Sequence, residues 1–130
     1  MFENKLCFQL IGSQYILLTP IEVLYLEADR QVCNIALADG TRIVAVRHLG
    51  YYKKELLQNF RFLELSKSIL VNAAHLVKYS PRERMVHLGS GHALPVSKTR
   101  QEVLNKTFRQ LHDNWLQGLD TSDDSGGATE

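Results

Sequence analysis

The sequence predicts a mainly β domain: a β-rich α+β fold of small, mostly antiparallel sheets, with one short central helix and one C-terminal helix. Three observations carry this expectation. Short β-branched and aromatic runs recur up to Val46 and again after Phe60. Turn signals stand between them at Gly12-Ser13, Asp39-Gly40 and Gly89 to Gly91. The hydrophobic period becomes helical in only two places, so the strand–helix alternation of a parallel nucleotide-binding sheet is missing.

The elements follow in order. "KLCFQLIG" and "SQYILLT" flank Gly12-Ser13 and read as a hairpin. "PIEVLYLEA" reads as a strand begun by Pro20, which cannot donate to a ladder. "EADRQ" is a polar break, and "VCNIALADGTRIVAV" is a hairpin turning at Asp39-Gly40. Its first arm sets Cys33, Ile35 and Leu37 on one face, and its second sets Val44 and Val46 on one face. In "HLGYYKKELLQNF", Leu49, Tyr52, Leu56, Leu57 and Phe60 form one helical stripe, with Lys53, Lys54 and Glu55 off it. Strands resume in "FLEL", "ILVN", "HLVKY", "MVHL" and "HALPV", with "SPRER" and "GSG" as turns. Thr99 and Glu102 stand as in a capping box, and Leu104, Phe108, Leu111 and Trp115 then repeat at helical spacing, which reads as packing. One domain is expected over residues 1–119, with an acidic, disordered Gly/Ser-rich tail over 120–130.

At 130 residues, 45% hydrophobic and 22% charged, the chain is long enough to build a core without staples. No apolar run is long enough to cross a membrane and the N-terminus lacks a signal pattern, so a cytoplasmic protein without membrane insertion is expected. The two cysteines, Cys7 and Cys33, read as free, buried thiols. The net charge of +1 conceals an uneven distribution: −3 over residues 1–39, +9 over 40–112 and −5 over 113–130. The basic middle suits a polyanion, although scattered solvated charge would give the same composition.

Catalytic patterns are missing. There is no Walker loop, G-x-G-x-x-G or G-x-S-x-G, so no enzyme is expected. "GSGH" lies between strand patterns and reads as a turn. His87 and His92 could face each other across it, but without a carboxylate they make a poor metal site, and neither metal nor cofactor is expected. Ser66 and Ser68 neighbour Lys67, but adjacent strand residues point to opposite faces. The basic residues are better placed, at strand ends beside short hydroxyl and amide side chains: Arg30 with Gln31, Ser66-Lys67-Ser68, and Ser97-Lys98 with Thr99 and Arg100. Such groups neutralise phosphates and read base edges. Arg82 and Arg84 either touch phosphate or keep a hairpin tip soluble. Tyr25 and Tyr79 read as packing residues, and Asn72 as a turn-former.

"FLELSKSILVNAAHLVKY" followed by "VHLGSGHALPVSKTRQEVL" resembles the LytTR family of bacterial DNA-binding domains, and "IEVLYLEADRQVCNIALADG" resembles the family's opening strands. The resemblance extends over about residues 5–112. It implies an elongated arrangement of small sheets whose loops enter successive major grooves of double-stranded DNA. It implies DNA contacts from Arg30, Gln31, Lys67, Ser68, Ser97 and Lys98, to which the reading of polar groups at strand ends adds Ser66 and Arg100. It also implies promoter direct repeats as target, a homodimer on DNA, and a sensor kinase or membrane regulator upstream. The chain departs from the family pattern at Ser66, where His is usual, and at Glu64, where a base is common. Lys67 and Lys98 stand where Arg is usual, and Lys gives a point contact where Arg gives a fork. With no room for a receiver domain in front, the chain reads as a stand-alone regulator or a piece of a longer protein. A protein-interaction module of the same fold, with weak or no specific DNA binding, is the alternative reading.

Overall fold

The computed structural model describes residues 4–122. A five-stranded antiparallel sheet is its middle layer. It is built from β3 (Val23–Asp29), β4 (Val32–Leu37), β5 (Arg42–Ala45), β6 (Phe62–Ser66) and β7 (Ile69–Asn72), in the order β5-β4-β3-β7-β6. On one face lie the hairpin of β1 (Leu6–Leu10) and β2 (Gln14–Leu18) and the helix α1 (Leu49–Asn59). On the other lie a three-stranded sheet of β8 (Leu76–Ser80), β9 (Met85–Leu88) and β10 (Ala93–Pro95), and the helix α2 (Lys98–Ser122).

The pleat of the middle sheet divides its side chains between two cores. Leu26, Cys33, Ile35, Leu37, Ala45 and Leu70 pack toward α1 and the first hairpin, against Phe8, Leu49 and Leu56. Leu24, Tyr25, Ala36, Ile69 and Val71 pack toward the second sheet and α2, against Val86, Leu94 and Leu104. The predicted stripe of α1 is the face that meets the first core, with Leu49 and Leu56 buried and Tyr52, Leu57 and Phe60 packed at its edge.

Several turns follow their chemistry. Gly40 has φ +93°, and Asp39 Oδ1 accepts the Thr41 N–H at 2.9 Å. Asn72 is buried and closes β7: its Nδ2 donates to the carbonyls of Pro20 (2.8 Å) and Val23 (2.9 Å), and its Oδ1 accepts the Ala74 N–H at 3.0 Å. Tyr25 and Tyr79 pack as expected. Tyr25 is buried, its hydroxyl accepting from Arg42 at 3.0 Å; Tyr79 lies against Phe108 and bonds Asn105 at 2.6 Å.

Other expectations are corrected. Pro20 does not open a strand; it begins a single 3-10 turn, Pro20–Glu22, held by a capping box between Thr19 and Glu22. In β5 the face of Val44, which the pleat alone left unassigned, is the outward one, and Ile43 and Ala45 pack inward. Cys7 is exposed, because the two-stranded β1–β2 sheet has only one covered face, and Cys33 is buried as expected. Thr99 and Glu102 do not cap α2; the cap lies two residues earlier at Ser97. His92 lies opposite Leu88, bonded through its carbonyl, and His87 opposite Ala93, so neighbouring pleat positions separate the two rings. The α2 stripe packs only as far as Phe108: Leu111 and Trp115 are 56% and 61% exposed. The helix runs on to Ser122, and the remainder of the expected tail, residues 123–130, lies outside the described residues.

Candidate nucleic-acid interface

The β6–β7 turn is built by its serines. Ser66 pairs with Ile69 across a register shift after Glu64, leaving Lys67 and Ser68 as a two-residue tip. Ser66 Oγ accepts the Ser68 N–H at 3.1 Å, which closes the tip and points Lys67 into solvent. The Ser68 carbonyl accepts the Ala28 N–H at 2.8 Å and so ties the tip to β3.

Two residues beyond Ala28, the chain reverses at Arg30-Gln31 between the paired residues Asp29 and Val32. Arg30 and Gln31 are both exposed. Arg30 holds φ +60°, a left-handed conformation normally left to Gly or Asn. Strand β3 runs antiparallel to β7, so this tip and the Lys67 tip leave the same end of the sheet.

The start of α2 meets them there. The Ser97 N–H donates to the Leu65 carbonyl at 2.8 Å, which places the helix N-terminus beside the end of β6. Ser97 Oγ accepts the Arg100 N–H at 3.2 Å as N-cap. Lys98 and Thr99 on the first turn are exposed. Ser66 and Ser97 therefore use oxygen lone pairs on their own main chain, and each keeps a hydroxyl proton that can be donated to a phosphate oxygen. A cleft of about 450 Å³ runs between these elements, lined by Glu64, Ser66, Lys67, Ser68, Ser97, Thr99 and Arg100.

Arg100 is placed differently from the other basic residues. Its Nε donates to the Glu64 carbonyl at 3.0 Å and stands 4.0 Å from the Glu64 carboxylate. The same carboxylate pairs with Lys53 of α1 at 2.5 Å. Glu64 thus clips both helices to β6 from below the exposed turns. In the sequence it stands out only as a departure from the family pattern; the Lys53 and Arg100 contacts are tertiary and have no local signal.

A fourth tip joins the group. The β8–β9 turn carries Arg82 and Arg84, both exposed. It is fixed beside α2 by the Val96 N–H to the Arg84 carbonyl (2.9 Å) and by Gln101 Nε2 to the Pro81 carbonyl (3.0 Å). The structure thus brings Arg30, Gln31, Ser66, Lys67, Ser68, Ser97, Lys98 and Arg100 to one end of the molecule, with Arg82 and Arg84 alongside. Among the described residues no group of three or more His, Cys, Asp or Glu is placed to hold a metal, and no helix is long and apolar enough to cross a membrane.

Comparison with known proteins agrees with this architecture. The family model of the LytTr DNA-binding domain matches residues 13–109. A solved LytTr DNA-binding domain from Bacillus cereus superposes with a TM-score of 0.65 at 18% identity, covering 79% of this chain and 94% of that one. At that identity the likeness speaks for the fold alone. No curated protein shows a significant sequence match to the chain. With the family model spanning most of the chain and the same fold in a solved member, this protein belongs to the LytTr family of DNA-binding domains.

Proposed function

We propose that the chain is a sequence-specific transcriptional regulator, not an enzyme, that reads the major groove with turns carried on a β scaffold. The observation that carries this reading is the convergence of three turns on one end. Main-chain hydrogen bonds Ala28 to Ser68 and Ser97 to Leu65 fix their spacing before any DNA arrives. Pre-set turns spare the ordering entropy of flexible loops. Lys67 and Lys98 would contact bases or phosphates, Arg30 and Gln31 a neighbouring stretch, and the serine hydroxyls phosphate oxygens. Arg100, held by Glu64, would act by positioning the α2 terminus. The target would be paired direct repeats in promoter DNA, occupied by two copies, in the cytoplasm and under an upstream sensor kinase or membrane regulator.

An interaction module that has lost DNA reading draws on Ser66 and Glu64. The Glu64 charge is compensated by Lys53 and Arg100, and Ser66 forms the turn that presents Lys67, so neither residue opposes DNA. The test is selection of binding sequences from a random duplex pool, followed by titration of selected and unselected DNA across salt. Selected DNA should bind at least about 10³-fold more tightly. Lys67→Ala and Lys98→Ala should each cost about 1–3 kcal/mol on the selected site. Equal affinity for both DNAs rejects sequence-specific reading, and unchanged binding in both variants rejects the assignment to these turns.

A further inference from the structure

We propose that the exposed apolar stripe of α2 is the surface through which two copies of this chain pair, helix against helix in antiparallel sense. Residues 109–118 of α2 are all exposed, and the family match ends at residue 109. Leu111 and Trp115 nevertheless continue the line of Leu104 and Phe108 at spacings of four, three and four, the seam of a paired helix. Leu111, Trp115 and Leu116 are 56%, 61% and 41% exposed, so the stripe lies open to solvent among the described residues.

Charge identifies the occupant. The first half of α2, residues 98–109, carries four Lys or Arg against one Glu, net +3; the second half, 110–122, carries two Asp, net −2. Antiparallel pairing lays each basic half along the partner's acidic half, whereas parallel pairing stacks like on like. The following residues, 123–130, add acids and offer no apolar side chain larger than Ala128 to cover the stripe. Crossing near Leu111, each Trp115 reaches back toward the other copy's groove of about 440 Å³ beside Tyr79, Pro81 and Phe108. There the Tyr79 and Phe108 rings, 5.1 Å apart, present apolar faces and edges to an indole.

A few helical turns and one groove bury less than the roughly 1,200–2,000 Å² of a standard interface, so the pair should be weak, of micromolar class. A two-fold pair presents its DNA-facing ends in inverted sense. It is therefore separate from two copies side by side on direct repeats, and it does not depend on the DNA reading.

Trp115 is the only tryptophan of the 130 residues, which makes its fluorescence a direct probe of this chain. Across the micromolar range its emission should shift to shorter wavelength in step with a monomer–dimer transition in sedimentation equilibrium. Leu111→Glu should weaken the association by about tenfold or more, and Gln110→Glu, one residue away, should not. Added salt should weaken the pair. Circular-dichroism melting checks that Leu111→Glu folds as the parent does; Trp115→Phe, which retains an apolar ring, should still associate by sedimentation. A monomer at every concentration, or a Leu111→Glu chain that folds and pairs as before, overturns the proposal. Association strengthened by salt overturns the antiparallel arrangement.

Discussion

Arg100 donates its Nε–H to the main-chain carbonyl of Glu64 at 3.0 Å, so the first turn of α2 is held by the strand that carries Lys67 to the surface. The Glu64 side chain is 18% exposed and serves Arg100 and Lys53 together. Two consequences of removing its charge run in opposite directions. Glu64→Gln should lower stability by about 1 kcal/mol, because the pairs are partly solvated. It should also leave an extra positive charge beneath the turns and raise affinity for random DNA at low salt. Selected DNA should gain less, since Arg100 positioning loosens, and the specificity ratio should fall. Thermal melting and a salt titration on both DNAs check this, and a ratio that rises would contradict it.

Arg30 separates recognition from stability. Its φ of +60° costs an L-residue about 1–2 kcal/mol. Glycine relieves that strain but loses about 0.5–1 kcal/mol to the entropy of the unfolded chain. Arg30→Gly should therefore change folding stability by no more than about 1 kcal/mol while removing a guanidinium from the DNA-facing end. Weaker binding at unchanged or slightly higher melting temperature is the expected outcome. A stable variant that binds as tightly as the parent would remove Arg30 from the interface.

Asn72 behaves in the opposite way. Its amide satisfies two carbonyls and one N–H inside the protein, joining β7 to the 3-10 turn at Pro20–Glu22. Asn72→Ala leaves those groups without partners, and each buried unsatisfied group costs about 1–3 kcal/mol. Partial relaxation should bring the total to about 2–4 kcal/mol, read from the urea midpoint at constant m-value. Asn72→Asp should be at least as harmful at neutral pH, because a carboxylate oxygen would face the carbonyls of Pro20 and Val23.

How far the sequence led depends on the range of the determining contact. Asp39-Gly40, the Gly89–Gly91 turn and the α1 stripe were legible because the signal lies within a few residues of its effect. Pro20 misled because the same ring suits a strand edge and the first position of a helical turn, and the deciding contact is Glu22 reaching back to Thr19. Trp115 misled because periodicity shows which side of a helix is apolar, not where the body beneath it ends. Turn chemistry and family resemblance named the residues that the structure gathers at the end proposed to face DNA. The assembly of that end was not legible: it rests on the Ser97–Leu65 and Ala28–Ser68 hydrogen bonds, which join segments more than thirty residues apart.

Cys7 and Cys33 should differ sharply toward thiol reagents. Burial among apolar residues pushes the Cys33 thiol up to about 12, so at pH 8 almost none of it is thiolate. Cys7 stands on the open face of the first hairpin. A chromogenic disulfide reagent should titrate one thiol per native chain and two after denaturation. Cys7→Ser should abolish the native reaction without altering DNA binding, since β1 lies outside the turns proposed to meet DNA.

Lys67 tests what the replacement of arginine means for reading. Lys67→Arg conserves the charge, so the slope of affinity against salt should be unchanged. The guanidinium adds a fork that can bond guanine O6 and N7 together, whereas an ammonium offers a single point of contact. Ser66 Oγ still closes the turn, so the longer head group would be presented from the same place. Discrimination at one base pair of the selected site should therefore change by about 1–3 kcal/mol, toward guanine, with the other positions unaffected. Competition against single-base variants of the site measures this directly. A uniform change across all variants would instead assign Lys67 to the phosphate backbone.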